Sequence, residues 1–215
     1  SETGKIEISD VEDSKTDKFL FIGAGLFGIQ KFIFASGGST NKAAAKILRG
    51  RSFYVSLLSE LVADLILRET GLPITSLIFN AAGQATILAP NLPRVLDAID
   101  RVRKKINDWL IECFYGQTSL GIAAVKTSQF AITHEYRKMW HNLGRAMDEQ
   151  KYKKFDISVY GGVQKQFFAE FDGETGLCQF CGQRPARASL SSDVDGGAIC
   201  ALCCDQLELG ARLVK

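Results

Sequence analysis

Residues 76–80 read SLIFN, residues 81–83 read Ala-Ala-Gly, and residues 84–89 read QATILA. Two short apolar runs on either side of a small, glycine-bearing break are the pattern of a β-hairpin. Upstream, a helix is expected from about Lys42 or Arg51 to Thr70, closed by Gly71 and Pro73. Its apolar residues Phe53, Val55, Leu57, Leu58, Leu61, Val62, Leu65 and Ile66 nearly encircle it, which implies burial on more than one side. Downstream, Asn91 stands where an N-cap belongs, and Leu92, Val95, Leu96, Ile99, Val102, Ile106, Trp109, Leu110 and Cys113 recur at three- and four-residue spacing. Charges fall mostly on the opposite face, as in an amphipathic helix laid on a sheet.

Two further strands complete the set: residues 18–22 (KFLFI), running into a glycine-rich turn at residues 23–28, and residues 119–125 (SLGIAAV). The order strand, helix, strand, strand, helix, strand implies an α+β, ferredoxin-like βαββαβ domain with both helices on one face of an antiparallel sheet. It is expected over residues 18–130, after a flexible lead-in at residues 1–17. Residues 131–215 then form a helical and zinc-binding part, with a helix near residues 137–150, a hairpin around 156–171 and a cysteine region.

Cys178-Gln-Phe-Cys181 and Cys200-Ala-Leu-Cys203 are two CxxC pairs with 18 residues between them. Two such knuckles complete a tetrahedron around one zinc ion at about 2.3 Å per Zn–S bond. Disulfides are disfavoured without a secretory signal, and a redox motif would need one pair only. Cys204 competes with Cys203, but the repeated spacing favours Cys203. A closed four-cysteine site is structural, because catalysis needs an open coordination position. Cys113, alone on an apolar helix face, reads as core.

The composition excludes other classes. Hydrophobic residues make up 46% and charged residues 23%, which is ordinary for a globular chain, and a net charge of +2 announces no nucleic-acid binder. Basic clusters at Lys42, Lys46, Arg49 and Arg51, at Arg101, Arg103, Lys104 and Lys105, and at Lys151, Lys153 and Lys154 read first as solvated faces. No run of about 18 apolar residues suggests a membrane span. The polar N-terminus is no signal peptide, so a cytoplasmic location is expected. The absence of an initiating methionine and a stop directly after a helix-like stretch suggest a piece of a longer protein.

Gly23-Ala-Gly-Leu-Phe-Gly28 matches the dinucleotide-binding GxGxxG, but that reading needs a long helix next and an acid about 20 residues on. No Asp or Glu occurs between Asp17 and Glu60. The histidines His134 and His141, seven apart, fit no metalloprotease spacing. Nucleotidyl-transferring palms hold two metal ions with carboxylates on the first strand and central hairpin. Neither place offers one here, so the chain looks like a palm without its catalytic metal site.

GIQKFIF (28–34), RGRSFYVSLLSE (49–60), NAAGQATILAP (80–90) and the ending CQFCGQRPA, CALC and QLELGARLVK resemble the large, polymerase-like subunit of type III CRISPR effector complexes, Csm type. That family's subunit carries a nuclease domain, two palms and a zinc-binding domain between them. Its second palm bears a GGDD hairpin and makes cyclic oligoadenylates from ATP in antiviral defence. The resemblance implies that this chain is the first, degenerate GGDEF-like palm plus the zinc domain. Ala81-Ala82-Gly83-Gln84 stands in place of GGDD, and Gly25, Leu26 and Phe27 in place of a usual Asp-x-Ser.

The implied role is to help bind ATP, with Mg or Mn in the intact two-palm subunit, and to complete the second palm's site. Backbone groups near Gly28, Ala82 and Gly83 would hold the nucleotide, Ser56 would meet adenine, and Gln30, Arg49 and Arg51 would assist the phosphates. Implied partners are the second palm, the other effector subunits and the guide RNA complex. The alternatives are a nucleic-acid-binding zinc module using Arg184 and Arg187, and a dinucleotide enzyme through GAGLFG.

Overall fold

The structure, a computed structural model, describes residues 8–35, 43–153, 176–187 and 198–214. The hairpin expected around residues 156–171 lies outside them. Strand β1 (Phe19–Phe27) is central in a four-stranded antiparallel sheet of order β2-β3-β1-β4, with β2 at Leu77–Ala81, β3 at Gln84–Pro90 and β4 at Ser119–Thr127. This is the order that a βαββαβ chain produces when each helix returns it across the sheet. Helices α3 (Ala44–Thr70) and α4 (Pro93–Phe114) cover one face. Because side chains alternate along a strand, Leu20, Ile22, Ala24 and Leu26 of β1 all meet that layer, against Val62 and Ile66 of α3 and Val95, Val102 and Phe114 of α4.

The other face carries Phe21, Gly23, Gly25 and Phe27, and there the structure departs from the expected glycine-rich turn. β1 runs straight through Gly23 and Gly25, which pair with Thr86 and Gln84 on one side and Ala123 and Gly121 on the other. A Cβ on Gly23 would stand 3.2 Å from both Leu143 and Met147, and one on Gly25 would stand 3.0 Å from Met147. These residues belong to a helix at Tyr136–Gln150, which, numbered after α1 (Ile8–Glu12), α2 (Ile29–Ile33) and α5 (Gln129–His134), is α6. It lies against the second face through Met139 and Leu143, with Trp140 edge-on to Phe21 at 4.9 Å. The glycines let a helix approach; they do not turn the chain. With antiparallel neighbours on both sides and a helix of only five residues after it, GAGLFG is no dinucleotide fingerprint.

The hairpin is tighter than its sequence implied. Ala81 pairs with Gln84, leaving Ala82 (φ 54°) and Gly83 (φ 79°) as a two-residue loop. Two successive left-handed residues match the twist of the strands. Asn91 is not the N-cap of α4: Leu92 is, with Pro93 at the first helical position, and the Asn91 side-chain amide instead donates to the Asp17 carbonyl at 2.8 Å. Part of the expected lead-in is thus attached, since the Phe130 amide also donates to Ser14 at 2.8 Å. The last helix, α7 (Ala201–Arg212), packs on α3. No helix among the described residues is long and apolar enough to cross a membrane.

Candidate functional site

Two places carry chemistry. The first is the cysteine cluster. Gly182, at φ 65°, closes the first knuckle and donates its amide to the Cys178 carbonyl at 2.8 Å; Cys200 is the N-cap of α7, and Cys204 donates to the Cys200 carbonyl at 3.0 Å. The fold thereby turns four thiols inward, and the sulfurs of Cys178, Cys181, Cys200 and Cys203 all lie within 4.8 Å of one another. The Cys181 and Cys200 sulfurs are 3.9 Å apart. A tetrahedron with Zn–S bonds of about 2.3 Å has sulfurs about 3.8 Å apart, whereas a disulfide needs about 2.05 Å. The donor set therefore fits a tetrahedral, thiophilic metal such as zinc.

Hydrogen bonding from Cys178, Cys200 and Cys203 holds the Cys181 thiol far below its ordinary range. Hydrogen bonding to Cys178 and then Cys181, with burial behind it, pushes Cys200 up. Two sulfurs, those of Cys178 and Cys181, are held below their ordinary range and two, those of Cys200 and Cys203, above it; a cation at the centre removes that resistance. Cys203, not Cys204, completes the group. Among the described residues no other group of three or more His, Cys, Asp or Glu side chains converges.

The second place is the corner of the palm where β1 ends. The turn carbonyl of Gly83 accepts from the Leu26 amide at 2.9 Å, extending the β1 ladder into the hairpin. A Cβ on Gly83 would stand 2.4 Å from Ile29 of α2 and 3.8 Å from Val55 of α3, so the turn is seated on both helices. Gly28, at φ 83°, opens α2; a Cβ there would stand 2.1 Å from the Gln117 carbonyl. Gly28, Ala82 and Gly83 thus meet at one corner, with Gln30 and Ser56 exposed on the adjoining helices.

Arg51 does not join them, and Arg49, exposed on α3, bonds α7 through its Nε. Arg51 is 3% exposed and spends all five of its N–H donors inside the protein. Nε donates to Gln206 Oε1 at 3.0 Å; Nη1 to the carbonyls of Ile33 (3.2 Å) and Ala35; and Nη2 to the Phe180 carbonyl (3.0 Å) and Cys203 Sγ (3.6 Å). Arg49 Nε reaches the Gly210 carbonyl of α7 at 3.3 Å. Between them, a Cβ on Gly50 would stand 1.9 Å from the Gln206 carbonyl, and one on Gly210 would stand 1.8 Å from the Lys46 carbonyl. Arg-Gly-Arg is therefore a helix crossing with an arginine on each flank, and the Arg51 guanidinium, with no free donor, cannot hold a phosphate.

Arg184, an alternative phosphate ligand from the sequence, is also buried. Its Nε and Nη2 donate to the Cys113 carbonyl at 3.2 and 2.9 Å, at the C-terminal end of α4, and its guanidinium faces the rings of Phe114 and Tyr115. Sequence reasoning missed both buried arginines, whose partners lie far along the chain. It also placed Phe53, Leu57 and Leu61 in the core. They form a stripe at four-residue spacing on α3 that is 41%, 42% and 53% exposed.

The family model described as Csm1 subunit domain B matches residues 18–172. A CRISPR system single-strand-specific deoxyribonuclease Cas10/Csm1 (subtype III-A) of Enterococcus italicus is 27% identical over 192 residues. The match takes in 87% of this chain and 23% of that relative, so the chain spans about a quarter of its length. Among solved structures, a Csm1-Csm4 cassette in complex with one ATP is 27% identical, with a TM-score of 0.59 over 71% of this chain and 20% of that one. A Csm1-Csm4 cassette in complex with cA3 is 25% identical, with a TM-score of 0.59 over 91% of this chain and 28% of that one.

Proposed function

Since the chain belongs to the Csm1 family, as its domain B, we propose that it is the non-catalytic palm and zinc module of a type III-A CRISPR effector large subunit. In that role it helps to bind ATP and completes the cyclic-oligoadenylate synthase site of a second palm. The observation that carries this reading is a palm whose carboxylate positions are filled by other residues. Gly23 and Gly25 stand on β1, Gln84 opens β3, and α6 closes the face of the sheet that a two-metal site would occupy. What this palm can offer a nucleotide is backbone and small side chains at the corner of Gly28, Gln30, Ser56, Ala82 and Gly83.

The exposed stripe of Phe53, Leu57 and Leu61 runs along α3, the helix that carries Ser56, and suits an apolar partner surface such as a second palm. A subunit of the Csm4 kind and the guide RNA complex are further partners on this reading. Zinc in the cysteine cluster would be structural, its four sulfurs leaving no open position for substrate.

The test is metal content, ATP binding and oligoadenylate formation by the purified chain with Mg²⁺ or Mn²⁺. One zinc per chain and no product is expected. In the complete subunit, Leu57→Asp should reduce synthesis at least tenfold while leaving the fold intact. Turnover by the chain alone, or full synthesis by the Leu57→Asp subunit, would overturn the proposal.

A further inference from the structure

Arg51 is a buried cation, and its five acceptors are three carbonyls, one amide oxygen and one sulfur, none of them a carboxylate. Burying a guanidinium without a counter-charge is costly. The sulfur it touches belongs to Cys203, one of four thiols that together with a divalent metal would carry two net negative charges. At its other end the same guanidinium takes the free carbonyls at the C-terminal end of α2, those of Ile33 and Ala35. α2 begins at Gly28, and its Ile29 is the side chain against which the Gly83 turn is seated.

We propose that Arg51 is a positioning residue that couples metal occupancy of the four-cysteine cluster to the placement of the α2 segment. With metal bound, the cluster is anionic, supplies Arg51's counter-charge and holds the guanidinium where it caps α2. With metal removed, Cys203 Sγ loses the bond that fixes its position, the guanidinium loses a fixed partner, and the cap on α2 loosens. The coupling is reciprocal: whatever metal does for α2 through Arg51, Arg51 does for metal affinity. It concerns the chain's own segments and stands whether or not a nucleotide binds at the corner.

Three variants and one metal exchange test it on the whole 215-residue chain. Arg51→Lys keeps the charge but cannot make five planar contacts; Arg184→Lys disturbs the same junction without touching a sulfur; Gln206→Leu removes only the Nε acceptor. Zinc affinity is measured by competition with a chromophoric chelator, and the sulfur-to-metal charge-transfer band is recorded with Co²⁺. Arg51→Lys should weaken zinc by about 10- to 100-fold and shift the Co²⁺ band, the range typical of lost outer partners of metal ligands. Arg184→Lys should do neither, and Gln206→Leu should weaken zinc less than Arg51→Lys.

Amide hydrogen exchange supplies the second readout. Stripping zinc from the unmutated chain should speed exchange of the Phe32 and Phe34 amides at least tenfold while the amides of β1 and β3 stay protected. That comparison needs no variant, so it decides the matter even if Arg51→Lys does not fold. Unchanged exchange at Phe32 and Phe34 on zinc removal, with the sheet intact, overturns the proposal. So does a folded Arg51→Lys chain that binds zinc as tightly as the unmutated one.

Discussion

Glycine to alanine at Gly50 and at Gly144 is the same chemical change in two helices, and the structure assigns the two opposite signs. Gly144 lies exposed in α6, and a Cβ there meets nothing within 4 Å. Alanine should gain the ordinary helix preference over glycine, about 1 kcal/mol. Gly50 would gain the same, but its Cβ would stand 1.9 Å from the Gln206 carbonyl and 2.8 Å from that carbonyl's carbon. The obstacle is backbone and cannot rotate away. To restore an ordinary contact, α7 must withdraw from α3 by roughly 1.5 Å, well outside what close-packed interiors absorb locally.

That withdrawal also breaks the Arg51–Gln206 bond at 3.0 Å and the Arg49–Gly210 bond at 3.3 Å. Charge-assisted bonds are worth about 1.5–3 kcal/mol each when buried, and overpacking adds about 1–3 kcal/mol. Net of the helix gain, Gly50→Ala should destabilise the chain by about 3–8 kcal/mol. At this size about 1 kcal/mol moves the midpoint by about 2–4 °C, so Gly50→Ala should melt at least about 6 °C lower and Gly144→Ala about 2–4 °C higher. Thermal unfolding followed by circular dichroism on zinc-loaded samples reads both. Equal midpoints for the two variants would refute the assigned closeness of α3 and α7.

Asn107 on α4 donates to the Leu120 carbonyl at 2.8 Å and accepts from the Leu120 amide at 2.7 Å, closing part of the free edge of β4. Asn107→Ala leaves both groups unpaired and should cost about 2–5 kcal/mol by urea unfolding; a change below about 1 kcal/mol would argue against the pairing. Asn107→Asp would set a carboxylate against the Leu120 carbonyl, which raises its folded pKa above about 3.9; the stability it retains should therefore be present at low pH and lost as pH rises through that folded value. Ala82, at φ 54°, bears a Cβ in left-handed backbone, so Ala82→Gly should raise the melting midpoint by a degree or two, and a fall would contradict the turn.

The hairpin, the amphipathic α4 and the paired CxxC knuckles were legible because each is written locally: a period, a turn residue, a spacing. What was not legible depends on distant partners. Gly23 and Gly25 read as a turn because nothing nearby says that α6, more than 100 residues later, must lie on them. Arg51 read as one member of a basic cluster, although its acceptors Phe180, Cys203 and Gln206 stand 129, 152 and 155 positions away. The apolar residues around α3 looked like burial on several sides. Periodicity reports that a face is apolar, not whether this chain supplies its cover, and Phe53, Leu57 and Leu61 are left open.

The two buried arginines point in opposite directions across one junction. Arg51 leaves α3 of the palm and ends among Phe180, Cys203 and Gln206; Arg184 leaves the first cysteine knuckle and ends on the last turn of α4. Each part therefore holds a charge that the other helps to solvate, and neither can depart without leaving hydrogen-bonding groups of the other unpaired. Such a junction transmits position, because a planar five-donor group accepts few alternative arrangements. On the proposed function, this palm contributes position rather than chemistry. It still has a corner to hold in shape, made by the Gly28 turn, α2 and the Gly83 hairpin. The cysteine cluster lies at the far end of a side chain that caps α2, which gives a metal site with no open coordination position a physical route to that corner.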